Sequence, residues 1–281
     1  MWMFLVLFYG LAKGAREIVK KKAMAKSTVM EVLLFYTFVA FLMVIPQVPQ
    51  AGGLETKFYF YIALKSFFIF LAWIFSFKAL SKMPVSLYGV LDLSRVLFAT
   101  SLGVIVLHEQ MVVNQIIGLL CVSAGLLMLK FKPGKKSDGG EGVSPIYIIA
   151  AFASCLLNAV SGLMDKILMK DVTSAQLQVW YMLFLVGYYI IYVIVTKTKI
   201  SKDVWKNGWI WILALLFVLA DKALFVANGY PESKVTIMTL IKQSGCIVTI
   251  LGGKLVFKEK NVGYKLICAL VIIVGIVVAV L

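Results

Sequence analysis

The residues best suited to chemistry lie in two short polar segments, each inside a long apolar run. Residues 92–95 (Asp-Leu-Ser-Arg) interrupt the apolar run 85–107, and residues 242–245 (Lys-Gln-Ser-Gly) interrupt the run 235–256. An ionisable side chain deep in a membrane helix costs about 2.5–3.5 kcal/mol on insertion scales, so it usually faces a cavity or a partner. The two segments begin 150 positions apart. Their matching placement predicts one central binding site.

The predicted substrate-binding site combines both segments with one further acid in the apolar run 213–227. Its residues are Asp92, Ser94, Arg95, Asp221, Lys242, Gln243 and Ser244. Asp92 and Arg95 are three residues apart on one helix face, so they can pair with each other. Lys242 has two compatible interpretations: an ion pair with Asp92 or Asp221, or a cavity-facing cation that binds a substrate carboxylate or phosphate. The serines either line this cavity or bond to their own helix backbone.

Other charged residues are expected to serve anchoring roles. Lys20–Lys22, Lys65 and Lys222 are predicted to extend their long side chains to the membrane surface. Glu109 and Glu259 follow apolar runs and are predicted to cap or anchor helix ends. The roles of Arg16 and Glu17 stay open. A weaker alternative is an aromatic cage for a cationic substrate, built from Trp73 and Tyr88.

Composition excludes several classes of function. The chain is 62% hydrophobic with a mean hydropathy of +0.97, which is too apolar for a soluble domain of 281 residues. A formal charge of +15 therefore indicates basic cytoplasmic loops and not nucleic-acid binding. His108 is the only histidine, the four cysteines show no metal spacing, and no Walker A motif occurs. We expect no metal, no cofactor and no enzymatic activity.

Apolar runs of about 20 residues recur along the chain, the length of a membrane-spanning helix. Ten spans are predicted, near 2–22, 31–48, 58–80, 84–107, 112–131, 145–169, 175–196, 207–228, 233–256 and 262–281. The polar, Gly-rich stretch 132–144 is predicted to link two halves, 1–131 and 145–281. Helices are expected because open sheet edges are not stable in lipid.

The two predicted halves resemble each other. Gly103, Glu109 and Gly125 each recur 150 positions later, as do the polar segments. Five spans in each half is an odd number, so the second half must be inverted in the membrane. Inverted repeats around a central site are a recurrent transporter design. The predicted fold is therefore an all-α membrane protein of two inverted five-helix repeats.

This arrangement resembles the EamA family of the drug/metabolite transporter superfamily. The resemblance is carried by residues 102–109 (Leu-Gly-Val-Ile-Val-Leu-His-Glu) followed by Gly118 to Gly125, and by 251–259 followed by Gly275. It covers nearly the whole chain. The resemblance implies a ten-helix transporter with both termini in the cytoplasm. Relatives that carry nucleotide sugars or phosphorylated sugars place basic residues in span 9, and Lys242 is similar in location.

The distribution of Lys and Arg predicts the opposite orientation. Connections after the odd-numbered spans hold 20 of these residues and connections after the even-numbered spans hold 4. The positive-inside rule places the odd connections in the cytoplasm and both termini outside. The expected location is the plasma membrane, namely the inner membrane of a prokaryote.

The predicted function is secondary transport of a small polar metabolite by alternating access. Anionic and phosphorylated metabolites belong to this predicted substrate class. The expected partners are this small-molecule substrate and the lipid bilayer. Proton coupling through Asp92 or Asp221, pure exchange and a homodimer stay open. The alternatives are a flippase for a lipid phosphate and a non-transporting membrane assembly subunit.

Overall fold

The protein is described here by a computed structural model that covers residues 1–108, 113–130, 143–259 and 262–280. These ranges are helical and contain no strand, which confirms the all-α prediction. The helices are α1 (Trp2–Met24), α2 (Val29–Val44), α3 (Thr56–Lys82), α4 (Val85–Leu91), α5 (Arg95–Leu107), α6 (Val113–Lys130), α7 (Pro145–Leu168), α8 (Ser174–Val195), α9 (Gly208–Asn228), α10 (Val235–Lys242), α11 (Gly245–Phe257) and α12 (Val262–Val280). The linker prediction lies outside the described residues apart from positions 143 and 144.

Six helical segments are long and apolar enough to cross a membrane, which confirms a multi-pass membrane protein. They are α2 with a short 3-10 extension to Gln50, α3, α4 continued through α5, α7, α8 and α9. The apolar parts of α6, α11 and α12 are shorter. Helix α1 carries six charged residues in its second half. The count of ten spans therefore stays a prediction.

Local sequence explains where several helices begin. Thr28 accepts a hydrogen bond from the Glu31 backbone N–H at the start of α2, and the Glu31 carboxylate accepts one from the Thr28 backbone N–H. Thr173 and Gln176 form the same reciprocal cap at α8. Pro145 occupies the first turn of α7, where its missing N–H costs nothing.

The predicted spans 4 and 9 are each interrupted at a polar segment. Helix α4 ends at Leu91, a 3-10 turn covers Asp92–Ser94, and α5 begins at Arg95. Likewise, α10 ends at Lys242 and α11 begins at Gly245. Asp and Ser compete with helical hydrogen bonds and Gly is a weak helix former, so both sequences favour a break there. The breaks lie at the same 150-residue offset as the polar segments.

The helices pack mostly against partners from the other half of the sequence. Helix α1 packs on α9 and α11, α3 packs on α7 and α8, and α6 packs on α12. A large apolar core lies among α2, α3, α8 and α9, with Tyr36, Phe77, Tyr181 and Phe217 at its centre. This packing holds the inner faces of α1, α3, α7 and α9 around the polar centre of the molecule.

Candidate functional site

A polar cavity lies at the centre of the helical bundle. Residues from α1 to α5 and from α7 to α10 line it. The volume inside it that the centres of water molecules can occupy is about 80 Å³. One water needs about 10–15 Å³ by the same measure. The cavity therefore has room for several waters or a small solute.

Nine charged side chains line the cavity. The basic residues are Lys13, Arg16, Lys20, Lys65, Arg95 and Lys242, and the acidic residues are Glu17, Asp165 and Asp221. Four of them come from α1, and the others come from helices that are mostly apolar. Because buried charges are costly unless they are paired or solvated, the pairing of these groups decides what the cavity can bind.

Asp92 pairs with two cations at the break between α4 and α5. Its Oδ1 accepts a hydrogen bond of 2.8 Å from Arg95 Nη2, and its Oδ2 accepts one from Lys13 Nζ. The predicted local pair with Arg95 is therefore confirmed. The contact with Lys13 joins α1 to the interrupted span.

The three acids of the cavity wall each form an ion pair. Arg16 Nη1 lies 3.2 Å from Asp221 Oδ1 and links α1 to α9. Lys65 Nζ lies 2.9 Å from Asp165 Oδ1 and links α3 to α7. Within α1, Lys20 Nζ lies 2.7 Å from Glu17 Oε1. Each acid that lines the cavity within the described ranges therefore has a cationic partner.

Lys242 forms no ion pair with any residue that the structure describes. Its ammonium lies 5.7 Å from the centre of the Tyr9 ring, a weak cation–π contact. The predicted pairing with Asp92 or Asp221 is wrong, because Arg95 and Lys13 hold the first acid and Arg16 holds the second. Lys242 therefore presents an uncompensated positive charge to the cavity.

The seven predicted site residues separate into two groups. Arg95, Asp221 and Lys242 line the central cavity, and Asp92 lines a small adjoining pocket with Lys242. Ser94, Gln243 and Ser244 line neither of the two. Ser94 is 1% exposed and Gln243 is 2% exposed, and the Ser244 hydroxyl approaches Gly10. A direct contact of these three with a substrate in the cavity stays a prediction without geometric support.

Sequence reasoning missed several cavity residues. Lys20 and Lys65 do not extend to the membrane surface as predicted, because both are buried, line the cavity and pair with acids. The sequence pattern does not single out Lys13 or Asp165 as site residues. Spacing offered one signal: Lys13, Arg16, Glu17 and Lys20 stand at positions i, i+3, i+4 and i+7, which places them on one face of α1.

The Lys222 side chain also does not extend to the membrane surface as predicted. Asp221 faces the cavity as expected, but the Lys222 ammonium donates hydrogen bonds of 2.7 Å to Gln47 Oε1 and 3.1 Å to Ser174 Oγ. This lysine is therefore bound by neighbouring polar side chains outside the cavity.

Some aromatic rings of the cavity lining already contact cations of the protein. Trp73 and Tyr88 both line the cavity. However, the Arg16 guanidinium lies 5.4 Å from the Tyr9 ring centre, and Lys65 Nζ lies 3.5 Å from the Tyr181 ring centre. The surplus of basic side chains on the cavity wall disfavours a cage of Trp73 and Tyr88 for a cationic substrate.

Helix α1 presses directly on the break in span 9. A Cβ atom on Gly10 would lie 2.5 Å from Ser244 Oγ and 3.0 Å from the Lys242 carbonyl oxygen. A Cβ atom on Gly14 would overlap the Gly245 carbonyl oxygen. Small residues four apart permit such close approach of membrane helices. This contact fixes the start of α11 and the position of Lys242 against α1.

Glu259 joins the end of α11 to the start of α4. Its Oε1 accepts a hydrogen bond of 2.7 Å from the Val85 backbone N–H, and its Oε2 accepts bonds from the Ser86 backbone N–H and hydroxyl. The predicted anchoring role is confirmed for Glu259. Glu109 lies outside the described residues.

These features define a multi-pass helical membrane protein with a charged internal cavity. Within the described ranges, no cluster of three or more His, Cys, Asp or Glu residues suits a metal ion. Residues 1–131 match the model of the EamA-like transporter family. The EamA resemblance predicted from the sequence is thereby confirmed over residues 1–131, and this family match supports a membrane transporter of the drug/metabolite transporter type.

Comparison with individual proteins adds information about the fold alone. A solved structure described only as "Crystal structure of protein" superposes with a TM-score of 0.73 at 15% sequence identity, over 99% of this chain and 96% of that chain. No curated protein matches the chain. The structural similarity shows that the whole chain, including the half beyond residue 131, has a known helical fold.

Proposed function

We propose that this protein is a secondary transporter that moves a small anionic metabolite across the membrane by alternating access. The observation that carries the proposal is the uncompensated ammonium of Lys242 in a cavity whose acids are all paired. A bound carboxylate or phosphate supplies the missing negative charge. The aqueous cavity lets this exchange occur without exposing the charge to lipid.

Structural features that recur at a fixed distance along the sequence support two inverted five-helix repeats, 1–131 and 145–281, joined by the linker 132–144. The helix breaks at Asp92–Ser94 and after Lys242 are related by 150 positions. The left-handed residues His108 and Lys258, with φ of 53° and 52°, are related by the same offset. Packing of α1 on α9 corresponds to packing of α7 on α3. These correspondences favour a two-fold relation between the halves.

The ion pairs follow this relation with reversed charges. On α1 and α9 the cation is Arg16 and the acid is Asp221, whereas on α7 and α3 the acid is Asp165 and the cation is Lys65. Each pair joins one proposed repeat to the other. Alternating access by rocking of the halves would change the separation of these helices, and the discontinuous helices beside Asp92 and Lys242 supply hinge points.

Counterflow in reconstituted vesicles tests the proposal. Vesicles preloaded with a mixed pool of anionic, zwitterionic or cationic metabolites are offered each labelled compound outside. We expect saturable uptake of an anion by the wild type, loss of most uptake in Lys242→Ala, and reduced uptake in Asp92→Asn.

Lys222→Ala is the matched control, because Lys222 is a lysine of the same membrane region outside the cavity. Normal uptake by both Lys242→Ala and Asp92→Asn would overturn the site. Movement of a labelled phospholipid, with no uptake of soluble anions, would favour the flippase alternative. Absence of both activities would favour the assembly subunit.

A further inference from the structure

The charges that meet at the centre of the cavity do not balance. Arg16, Lys20 and Lys65 are each matched by one acid. Once these pairs are set aside, the cations left are Lys13, Arg95 and Lys242, and the one acid left is Asp92, which pairs with Lys13 and Arg95. If every group is charged, this central cluster carries two positive charges in excess of its negative charge.

The three cations are placed to act on one ligand. Lys13, Arg95 and Lys242 line the same cavity, and Lys13 and Lys242 also line the adjoining pocket beside Asp92. Each Asp92 oxygen accepts from one cation, so Asp92 holds Lys13 and Arg95 on either side of it. The buried Arg95 Nε has no hydrogen-bond partner among the described residues. The cluster thus retains hydrogen-bond donors as well as excess charge.

We infer that the Lys13, Asp92, Arg95 and Lys242 cluster is a binding site for a small dianion, either a dicarboxylate or a phosphate monoester. This inference rests on the proposed function and specifies the substrate class. A dianion neutralises the excess of two charges, whereas a monoanion leaves one ammonium uncompensated. Guanidinium and ammonium groups together suit planar carboxylates and phosphate oxygens. Asp92 serves as a positioning residue that keeps two of the cations in place.

The size of the cavity limits the ligand. Space of about 80 Å³ for the centres of water molecules is several times the need of one water and suits a compact metabolite. A nucleotide or nucleotide sugar would require the helices to separate further.

Thermal stabilisation of the purified, detergent-solubilised protein by matched ligand pairs tests the inference. The first pair is methyl phosphate and dimethyl phosphate, and the second is succinate and its monoamide. Each pair differs in charge and little in size. Measurements at pH 8 keep methyl phosphate dianionic, since the second pKa of a phosphate monoester is about 6.

We expect at least one dianion to stabilise the wild type at a concentration at least about tenfold lower than its monoanionic partner. The pair that shows this preference distinguishes a phosphate site from a dicarboxylate site. Lys242→Gln should shrink the preference, because it removes one of the two excess charges, while Lys222→Gln should retain it. Equal stabilisation by the two members of both pairs, or stabilisation by none of the four compounds, would overturn the inference.

Vesicle counterflow separates this inference from the proposed function. Saturable uptake of a monoanionic or neutral compound without uptake of dianions would preserve transport and overturn the dianion site. Dianion-selective stabilisation without uptake of any compound would preserve the dianion site and overturn the proposed transport.

Discussion

Lys65 and Asp165 form an ion pair of 2.9 Å that ties α3 to α7 inside the membrane region, and the lysine side chain is only 2% exposed. The Lys65 ammonium also lies against the Tyr181 ring. A buried pair of this kind is costly to break from one side, because the remaining charge keeps its desolvation penalty.

Lys65→Met should therefore destabilise the protein by about 3–5 kcal/mol. The double variant Lys65→Met/Asp165→Asn should recover much of that loss, because it removes both charges. Thermal unfolding in detergent measures both effects. Lys57→Met is the control, since its pair with Glu55 is exposed, and it should unfold like the wild type. An unchanged unfolding temperature for Lys65→Met would contradict the role of this pair.

Gly14→Ala should weaken the contact between α1 and α11. Its new methyl group would overlap the Gly245 carbonyl oxygen, so the helix backbones must move apart. We expect a loss of about 1–3 kcal/mol, the usual cost of overpacking, and reduced uptake because Lys242 shifts. Gly187→Ala in α8 is the control, since its Cβ atom would meet no atom within 4 Å. Equal stability of the two variants would show that α1 and α11 adjust freely.

Glu259→Ala should destabilise the start of α4. The carboxylate satisfies two backbone N–H groups there, and loss of a helix cap costs about 0.5–2 kcal/mol. Glu259→Gln should lose less, because its amide oxygen still accepts a hydrogen bond. Unfolding temperatures in the order wild type, Gln, Ala are expected. A reversed order of the two variants would exclude capping as the reason for the effect.

Chemical labelling should distinguish the predicted site residues that face the cavity from those that do not. In a background without native cysteines, Lys242→Cys should react with a small water-soluble thiol reagent, because this position lines the cavity. Ser94→Cys should resist it, because Ser94 is 1% exposed and lies outside the cavity wall. Rapid labelling of Ser94→Cys would require a different rotation of the turn at 92–94.

The structure lowers the count of basic loop residues behind the orientation prediction but does not change its direction. Lys13, Arg16 and Lys20 line the cavity, so they should not be counted as loop charges. The odd connections then hold 17 basic residues (20 less these three) against 4 in the even connections. We expect a reporter fused to the C-terminus to be detected outside the cell. Detection in the cytoplasm would favour the orientation implied by the family.

The local pattern of the sequence was enough for the helices, but it did not predict their breaks. Apolar runs predicted helices, and the structure shows that two of them are interrupted at the polar segments that begin at Asp92 and Lys242. The three-residue spacing of Asp92 and Arg95 predicted their pair, because residues three apart share a helix face. The EamA resemblance followed from glycine and glutamate positions along the chain.

Only the tertiary structure decided which charges are neutralised. Asp92 has a second partner in Lys13, 79 positions earlier, and Asp221 pairs with Arg16 across 205 positions. Coulomb attraction depends on the distance between side chains and on their exposure to water, and neither quantity is contained in sequence spacing. Helix packing brings α1 and its inward-facing cations to Asp92 and Asp221. As a result Lys242, which the sequence left between two interpretations, is the cavity cation without an acid among the described residues.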